Sequence, residues 1–384
     1  MRVRGLHCHV ARMAPSWLTE TVIANPMSGY PEYWRRRSSW FRAMSAAVIE
    51  VELDDGTRGF GFCGGGKGTA IAAAVDEQLR DLVLGHDAGD LETLQEQLYR
   101  ASIFYGRGGL TQAALSGIDL ACWDARGQQA GLPVARMLAG AAARDSLRVY
   151  YTGNDPSALA EFGIRDMKVA VPYGPAHGED GMRANEAAVA QAREVLGAEG
   201  FLSLDIYMAW NVDYTLRMFE RLEKYRLNWI EEPVLPDDYA GYAELRRRLA
   251  GVVRISGGEH EYTHAGFERL IGEGCVDLVQ PDIYRAGGIT GLRRIAALAQ
   301  RAGVQLICHG TGSATYQFLA TLPPETTPYA EFLDIYRGEA KAWVLTDDPR
   351  PQGGILQVPA SPGFGYDLNA AAFAPGAPGV ATIW

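Results

Sequence analysis

Short apolar segments alternate with longer amphipathic stretches over most of the chain from about residue 147 onward. Eight of these segments are rich in β-branched and aromatic residues and have the length of buried strands. They are LRVYY (147–151), DMKVAV (166–171), FLSLDIY (201–207), LNWIEE (227–232), VVRIS (252–256), VDLVQPD (276–282), VQLICH (304–309) and YAEFLDI (329–335). Eight strands that alternate with helices predict a parallel α/β barrel, and a doubly wound open sheet is the competing arrangement.

The part of the chain before this alternation has a different pattern. Two β-type runs within residues 45–63 flank Asp55 and Gly56, which is the signal of a hairpin. Helical patterns follow and end near Gly131 and Pro133. Strands followed by helices without alternation predict a separate α+β domain over residues 1–140, ahead of a barrel over 141–345. The Pro- and Gly-rich tail, 346–384, is expected to return to the first domain.

Ionisable residues stand at or near the ends of six predicted barrel strands. They are Asp205, Glu231, Glu259, Asp282, His309 and Glu331, at intervals of 22 to 28 residues, about one βα unit each. Residues at the carboxyl ends of barrel strands converge on one pocket, which is where barrel enzymes place their chemistry. An acidic residue after a strand is often only a helix N-cap, but a series of six is harder to explain by capping.

Three carboxylates on consecutive strands, from Asp205, Glu231 and Glu259, cannot share a pocket without a neutralising charge, because like charges raise each other's pKa. A hard divalent cation supplies that charge, and ligation by oxygen atoms alone suits Mg²⁺. The spacing therefore predicts a magnesium site.

His309 and Asp282 lie on adjacent predicted strands. A carboxylate beside an imidazole fixes its tautomer and raises its basicity, so the pair is a candidate general base. The alternative is a histidine with a purely structural role. Lys168 lies within an apolar strand, and a lysine there points into a core or a site.

Composition narrows the choice of partner. The chain has 36 Lys and Arg against 46 Asp and Glu, a formal net charge of −10, which argues against nucleic acid or an anionic membrane as partner. Five scattered cysteines without a CxxC pair are typical of a cytoplasmic protein. No secretory signal and no apolar run long enough to span a membrane is expected from the sequence.

Gly59, Gly61 and Gly64 match the motif G-x-G-x-x-G of dinucleotide sites. They continue a hairpin rather than open a helix, so the sequence favours a mobile glycine-rich loop over residues 64–68 instead of a dinucleotide site.

Several segments together resemble the enolase superfamily, in its mandelate racemase group. They are WIEEP (229–233), GGEH (257–260), QPD (280–282), AGG (286–288), HG (309–310), GIDLA with WD (117–124) and PGFGYDLN (362–369). WLTETVIANPMSGYPEY (17–33), RSSW (37–40), KVAVPYGP (168–175) and VDYT (212–215) are similar to L-rhamnonate dehydratase and related acid-sugar dehydratases of that group.

The resemblance implies a modified (β/α)₇β barrel covered by an α+β capping domain, and a homo-oligomer. It implies Mg²⁺ held by Asp205, Glu231 and Glu259, and dehydration of a sugar acid, an aldonate such as L-rhamnonate, to a 2-keto-3-deoxy acid. His309, held by Asp282, would remove the proton α to the carboxylate, while Lys168 and Glu331 would stabilise the enediolate. Arg37 and His260 are candidate substrate contacts, and the segment 17–33 with the glycine-rich loop would line the pocket.

Some positions depart from that pattern. Ala170 stands where racemases of the group carry a second basic residue, which favours elimination over a two-base proton transfer. Ile283, Tyr284 and Arg285 replace a stretch in which the rhamnonate dehydratases tend to have Trp, so the identity of the sugar acid stays open. A racemase or epimerase, and a non-catalytic scaffold that binds acid sugars, remain alternatives, and a nicotinamide-dependent oxidoreductase is a remote one.

Overall fold

The computed structural model describes residues 1–13, 23–30, 32, 44–63, 68–333, 344–346 and 349–373. Arg37, residues 64–67 and most of segment 17–33 lie outside these ranges. The amino-terminal part contains strands β1 (Val3–Met13), β2 (Met44–Leu53) and β3 (Arg58–Cys63) and helices α1 (Gly68–Ala74), α2 (Arg80–Val83), α3 (Leu91–Ser102), α4 (Leu110–Ala130) and α5 (Val134–Ala139). A π-helical stretch, Val75–Leu79, connects α1 to α2.

The second part alternates strands and helices. Its strands are β4 (Ser146–Thr152), β5 (Met167–Ala170), β6 (Leu202–Asp205), β7 (Leu227–Glu231), β8 (Arg254–Gly257), β9 (Leu278–Val279), β10 (Gln305–Leu306), β11 (Ala330–Phe332) and β12 (Ile355–Gln357). Its helices are α6 (Ser157–Phe162), α7 (Gly178–Leu196), α8 (Val212–Leu222), α9 (Tyr239–Arg248), α10 (His264–Gly272), α11 (Gly288–Ala302) and α12 (Ser313–Ala320). Short 3₁₀ helices cover Pro26–Gly29, Gly140–Ala142, Pro175–His177, Glu223–Tyr225 and Ala370–Phe373. No helix of the described residues is both long and apolar enough to cross a membrane.

Strands β4 to β11 form a parallel sheet in the order β10-β9-β8-β7-β6-β5-β4-β11. The order follows the chain without the reversal that a doubly wound sheet requires, so the barrel prediction is confirmed and the open-sheet alternative is wrong. The two ends of the ladder face each other, because the Leu306 N–H donates to the Thr326 carbonyl at 2.9 Å and the Gly310 N–H donates to the Glu331 carboxylate at 2.5 Å. Strand β12 adds to β4 in antiparallel orientation.

Local sequence explains the turns that lead into the barrel helices. The side chains of Asn211, Asp238 and Thr263 accept backbone N–H groups in the first turns of α8, α9 and α10. Each of these caps satisfies a donor that the helix cannot pair internally. The strand-to-helix loops therefore have defined starting points, and they form the face on which the candidate site lies.

The barrel interior below that face is filled by aromatic and aliphatic side chains. Tyr150, Trp229, Leu278 and Ile307 form a separate buried cluster, with Phe201 and Tyr329 packed against it. This part of the interior is thus a packed core, as in other α/β barrels.

The amino-terminal sheet has the order β1-β2-β3, all antiparallel, which confirms the predicted hairpin. Helix α4 packs directly on β3, and a Cβ atom at Gly59 or Gly61 would lie 2.2 Å from the Ala125 nitrogen or 2.0 Å from the Gly117 carbonyl oxygen. These two glycines therefore allow close contact between strand and helix, which accounts for them without a dinucleotide.

The described part of the tail contacts this first region. The Asp124 carboxylate on α4 accepts N–H groups from Phe60 on β3 at 2.9 Å and from Phe364 in the tail at 2.8 Å. The Tyr366 hydroxyl donates to the Phe60 carbonyl at 3.0 Å. One buried side chain on α4 thus joins three distant segments of the chain.

Candidate active site

The predicted strand-end residues lie on one face of the barrel. Asp205 is the last residue of β6 and Glu231 the last residue of β7, and the two are parallel register partners. Glu259 lies two residues beyond β8. Asp282 and His309 pair in an isolated parallel bridge beyond β9 and β10.

Lys168 on β5 is completely buried and faces three carboxylates. Its Nζ lies 2.5 Å from Glu231 Oε1, 2.9 Å from Glu331 Oε1 and 3.8 Å from Asp205 Oδ2. Burial alone would lower the pKa of the ammonium, but Glu231 and Glu331 outweigh this and raise it well above its ordinary value. Lys168 is therefore a fixed positive charge within the carboxylate group.

Further donors hold the two fully buried glutamates. Gln280 Nε2 and Trp229 Nε1 donate to Glu231 Oε2 at 2.5 and 3.3 Å. Thr152 donates to Glu331 Oε1 at 2.5 Å. The rotamers of both glutamates are thus fixed, in the way a preorganised site requires.

His309 lies between two carboxylates. Its Nδ1 is 3.2 Å from Asp282 Oδ2, and its Nε2 is 3.3 Å from Glu259 Oε1. Asp282 is itself fixed, because its Oδ1 accepts the Tyr284 N–H at 2.7 Å. With Asp282 at Nδ1, the nitrogen Nε2 points away from the carboxylate and toward the other strand-end groups, which is the orientation of a general base.

His260 forms a second histidine–carboxylate pair in the same group. Glu232 Oε2 lies 2.8 Å from His260 Nδ1, and Glu232 Oε1 accepts the His260 backbone N–H at 3.2 Å. Glu232 is buried and has a positive φ of 43°, while Tyr207 and Met208 after β6 have φ of 49° and 60°. Such backbone conformations cost energy in residues other than glycine and cluster at functional sites.

Burial and repulsion between like charges shift Asp205 and Glu231 toward their neutral forms. Burial raises the pKa of Asp205 to about 6. Lys168 opposes this rise, and the nearby carboxylate of Glu259 adds to it. Burial likewise raises the pKa of Glu231 to about 8. Lys168 again opposes the rise, and Asp205 and Glu331 add to it. One lysine thus leaves this group short of positive charge.

The opposite shift is found at His309 and Glu259. Burial alone would lower the pKa of His309, but Glu259 and the hydrogen-bonded Asp282 raise it to about 10. Burial would raise the pKa of Glu259, but His309, His260 and Arg285 outweigh it and lower the pKa. The charge of Glu259 therefore holds a proton on His309, and His309 can act as a base once a bound cation offsets that charge.

These donors fit a hard divalent cation. Asp205, Glu231 and Glu259 offer carboxylate oxygens from three consecutive strands, and the raised pKa values of the first two reflect missing positive charge. Among the residues that the structure describes, the group whose ligand atoms all lie within 4.8 Å of one another is Glu232, Glu259 and His260, so the three predicted ligands are not drawn together to that distance. That group includes the imidazole nitrogen of His260, whereas Asp205, Glu231 and Glu259 offer oxygen atoms alone, which suit Mg²⁺ better.

Two charged residues of the site, one buried and one largely buried, were missed from the sequence. Arg285 contacts both Asp282 and Glu259, and Glu232 orients His260. Arg285 stands three residues after Asp282, and Glu232 is the second acid of WIEEP, so their positions gave a signal that was not used. The predicted substrate contact Arg37 lies outside the described residues.

Two family models match the chain. Residues 38–139 match the mandelate racemase / muconate lactonizing enzyme N-terminal domain, and residues 156–372 match the enolase C-terminal domain-like family. The chain is 37% identical over 359 residues to an L-rhamnonate dehydratase of Saccharopolyspora erythraea, covering 92% of this chain and 90% of that protein.

Solved structures agree with this match. Rhamnonate dehydratase from Gibberella zeae complexed with Mg is 32% identical, with a TM-score of 0.88 over 97% of this chain and 95% of that chain. L-talarate/galactarate dehydratase from Salmonella typhimurium LT2, liganded with Mg and L-lyxarohydroxamate, is 26% identical, with a TM-score of 0.81 over 97% of this chain and 92% of that chain. The fold class predicted from the sequence, a modified barrel with an α+β capping domain, is confirmed.

Proposed function

Because this chain belongs to the mandelate racemase group of the enolase superfamily, we propose that it is a magnesium-dependent dehydratase of a sugar acid, an aldonate such as L-rhamnonate or a relative. The observation that carries the proposal is the pairing of His309 with Asp282. It leaves the Nε2 atom of His309 facing Glu259, 3.3 Å from Oε1. A base fixed beside buried carboxylates suits removal of a proton next to a metal-bound carboxylate.

Asp205, Glu231 and Glu259 are the proposed ligands of Mg²⁺. When bound, the cation would neutralise the substrate carboxylate and the negative charge that develops when the adjacent proton leaves. The named relatives with bound Mg support this assignment, as does the shortage of positive charge around Asp205 and Glu231.

His309 acts twice in the proposed reaction. Its Nε2 takes the proton from C2, and the C–H electron pair becomes the C1–C2 double bond of an enediolate. The same imidazolium then gives its proton to the 3-hydroxyl as the C3–O bond breaks, which releases water. The remaining enol tautomerises to a 2-keto-3-deoxy acid, so the products balance the substrate. Asp282 keeps the imidazole oriented in both steps.

The other predicted residues would stabilise charge and hold the substrate. Lys168 and Glu331 form an ion pair at 2.9 Å and would contact the enediolate oxygens. Arg37 and His260 are proposed substrate contacts, His260 through its Nε2, which lies 4.0 Å from Glu259 Oε1.

The proposal is tested by incubating the purified protein with Mg²⁺ and a panel of aldonates and aldarates in D₂O, and by following both 2-keto-3-deoxy acid formation and deuterium at C2. One substrate should yield the keto acid, and EDTA should abolish the reaction. Asn in place of His309 should reduce kcat about 10³-fold or more, because one group supplies both proton transfers. His264, an exposed histidine at the start of α10, is the matched control for Asn substitution.

Other outcomes would favour the alternatives. Deuterium in the recovered substrate without keto acid would identify a racemase or epimerase. Mg²⁺-dependent binding without turnover would identify a scaffold. Full activity of the H309N variant would refute the assigned base.

We also infer a cytoplasmic homo-oligomer. All five cysteines are buried and free, which suits a reducing compartment such as the cytoplasm.

The proposed contact between copies of the chain lies at the connection between α3 and α4. This connection exposes Ile103, Phe104 and Tyr105, and Phe104 is 98% exposed. An exposed apolar cluster of this kind supports contact with another copy of the chain. Light scattering should report an oligomer in the wild type and a smaller species for Phe104→Ser.

A further inference from the structure

Arg285 lies in the turn after β9 and reaches two carboxylates that belong to different strands. Its Nη1 lies 3.2 Å from the Glu259 carbonyl oxygen and 3.2 Å from Glu259 Oε1. Its Nε lies 3.1 Å from Asp282 Oδ2. The guanidinium thus bridges the partner of the proposed base and a proposed metal ligand.

The same two carboxylate oxygens also face His309. Asp282 Oδ2 is 3.2 Å from His309 Nδ1, and Glu259 Oε1 is 3.3 Å from His309 Nε2. His309, Asp282, Arg285 and Glu259 therefore form a closed ring in which cationic donors and carboxylates alternate. Every contact of the ring measures between 3.1 and 3.3 Å, so displacement of one member changes the position of the others.

The backbone holds Arg285 in place for this contact. The Asp282 carbonyl accepts the N–H groups of Arg285 and Ala286 at 3.0 and 2.9 Å, which closes a tight turn. The Gly287 N–H that follows donates to Ser116 Oγ on α4 at 2.8 Å. Because the turn is fixed at both ends, the guanidinium is preorganised rather than adaptable.

Arginine suits this position better than lysine. Its planar fork offers several donors in fixed directions, so it can contact two carboxylates at once, whereas lysine carries a single ammonium on a flexible stem. The two hydrogen bonds from Nη1 go to Glu259, and Nε lies in ion-pair contact with Asp282, so the guanidinium orients protein groups. The Arg285 side chain is only 18% exposed, so its ion pairs with Glu259 and Asp282 are screened by solvent less than ion pairs at the surface.

We propose that Arg285 is a positioning residue that holds Asp282 and Glu259 at a fixed separation and thereby aligns His309 and the metal ligand with each other. This inference rests on the proposed function for its catalytic part. Its structural part, the orientation of Glu259 and of the His309–Asp282 pair, is measurable without turnover.

The test compares Arg285→Met and Arg285→Lys with the wild type. Loss of a residue that orients a metal ligand or a base typically costs 10–100-fold in metal affinity or activity, so we expect kcat to fall by about that factor in Arg285→Met while KM changes about twofold or less. Arg285→Lys should recover only part of the loss, because it restores charge without the fork. It also serves as the test variant if Arg285→Met does not fold.

Two measurements need no substrate. Calorimetric titration with Mg²⁺ alone should show weaker binding in Arg285→Met, because Glu259 is no longer oriented. If Arg285 were only a nearby positive charge, its removal would strengthen Mg²⁺ binding. The low-field NMR resonance of the imidazole N–H that faces Asp282, assigned by its absence in the H309N variant, should shift or broaden in Arg285→Met.

Arg254, at the opposite end of β8, is the matched control. It donates to Gln305 at 2.9 Å and to Asn228 at 2.6 Å, away from the strand-end group. Arg254→Met should keep the wild-type kcat, Mg²⁺ affinity and imidazole resonance. Wild-type kcat in Arg285→Met, or Mg²⁺ binding that is unchanged or tighter, would overturn the proposal. If the wild type dehydrates no sugar acid, the proposed function fails, while the Mg²⁺ titration and the resonance still decide the role of Arg285.

Discussion

Replacement of Lys168 by Met tests whether this side chain neutralises the buried carboxylate group. Methionine has a similar length and no charge, so the substitution leaves packing nearly intact. Lys168 is fully buried, as are its closest partners Glu231 and Glu331, at 2.5 and 2.9 Å. The variant would leave these carboxylates without their shared cation.

The expected cost follows from that burial. Removal of one partner from a buried ion pair destabilises a protein by about 3–5 kcal/mol, because the remaining charge stays unpaired in a region of low dielectric constant. The unfolding entropy of a 384-residue chain is about 0.8 kcal/mol/K, so this corresponds to a Tm lower by about 4–6 °C.

The cost should depend on pH with a definite sign. The pKa values of Asp205 and Glu231 are already raised, to about 6 and about 8, and loss of Lys168 raises them further. Stability associated with a raised carboxyl pKa is present at low pH and is lost as pH rises through the folded-state value. The difference between wild type and K168M should therefore be larger at pH 8 than at pH 5.

Differential scanning calorimetry in EDTA at pH 5 and pH 8 measures this difference. Lys224→Met is the control, since Lys224 forms an exposed pair with Glu186 at 2.6 Å and its loss should leave Tm nearly unchanged. A K168M variant with the wild-type Tm at pH 8, or with a deficit that is equal at both pH values, would refute the reasoning.

Three further predictions concern the buried carboxylates Glu331, Asp119 and Asp124. Glu331→Gln removes the charge that pairs with Lys168, so steady-state assays should show kcat lower by about 10²-fold with little change in Mg²⁺ affinity; a wild-type kcat would contradict the role of Glu331. Burial raises the pKa of Asp119 to about 7, so the wild type should lose stability relative to Asp119→Asn as pH rises from about 4 to about 7. Urea denaturation across this pH range measures the difference, and parallel pH profiles for the two proteins would contradict the prediction. Asp124→Ala leaves the Phe60 and Phe364 N–H groups without their acceptor and should cost about 2–6 kcal/mol in urea denaturation, with early proteolysis of the tail, whereas Asp55→Ala at the exposed hairpin should have little effect.

The barrel could be predicted from the sequence because each of its strands is a short apolar run closed by a polar residue. The first and last residues of the strands are less predictable from the sequence. The segment predicted as a strand over 276–282 forms a regular strand only at Leu278–Val279, because Pro281 lacks an N–H and interrupts the ladder. The Asp282–His309 pair is thus placed by an isolated bridge beyond the regular strands, which periodicity does not reveal.

The candidate site shows a similar division. Spacing by one βα unit indicated which acids share a face, because that depends only on the repeat of the fold. The contacts among them depend on turns, and these are not visible in the pattern. Arg285 reaches back to Asp282 through a tight turn, and Glu232 reaches His260 from a residue with positive φ. Neither geometry follows from hydrophobic periodicity, although both residues lie next to segments that the resemblance had singled out.

Helix α4 explains why the amino-terminal domain and the barrel chemistry belong together. Its Asp119 accepts the Thr290 N–H at 3.1 Å in the first turn of α11, and its Ser116 accepts the Gly287 N–H at 2.8 Å. Those contacts fix the end of the turn that carries Arg285. Farther along the same helix, Asp124 holds β3 and the tail. One helix therefore connects β3 with the turn that carries Arg285. Because both connections are buried and hydrogen-bonded, a shift of the amino-terminal domain on the barrel would also move the groups that align the proposed base.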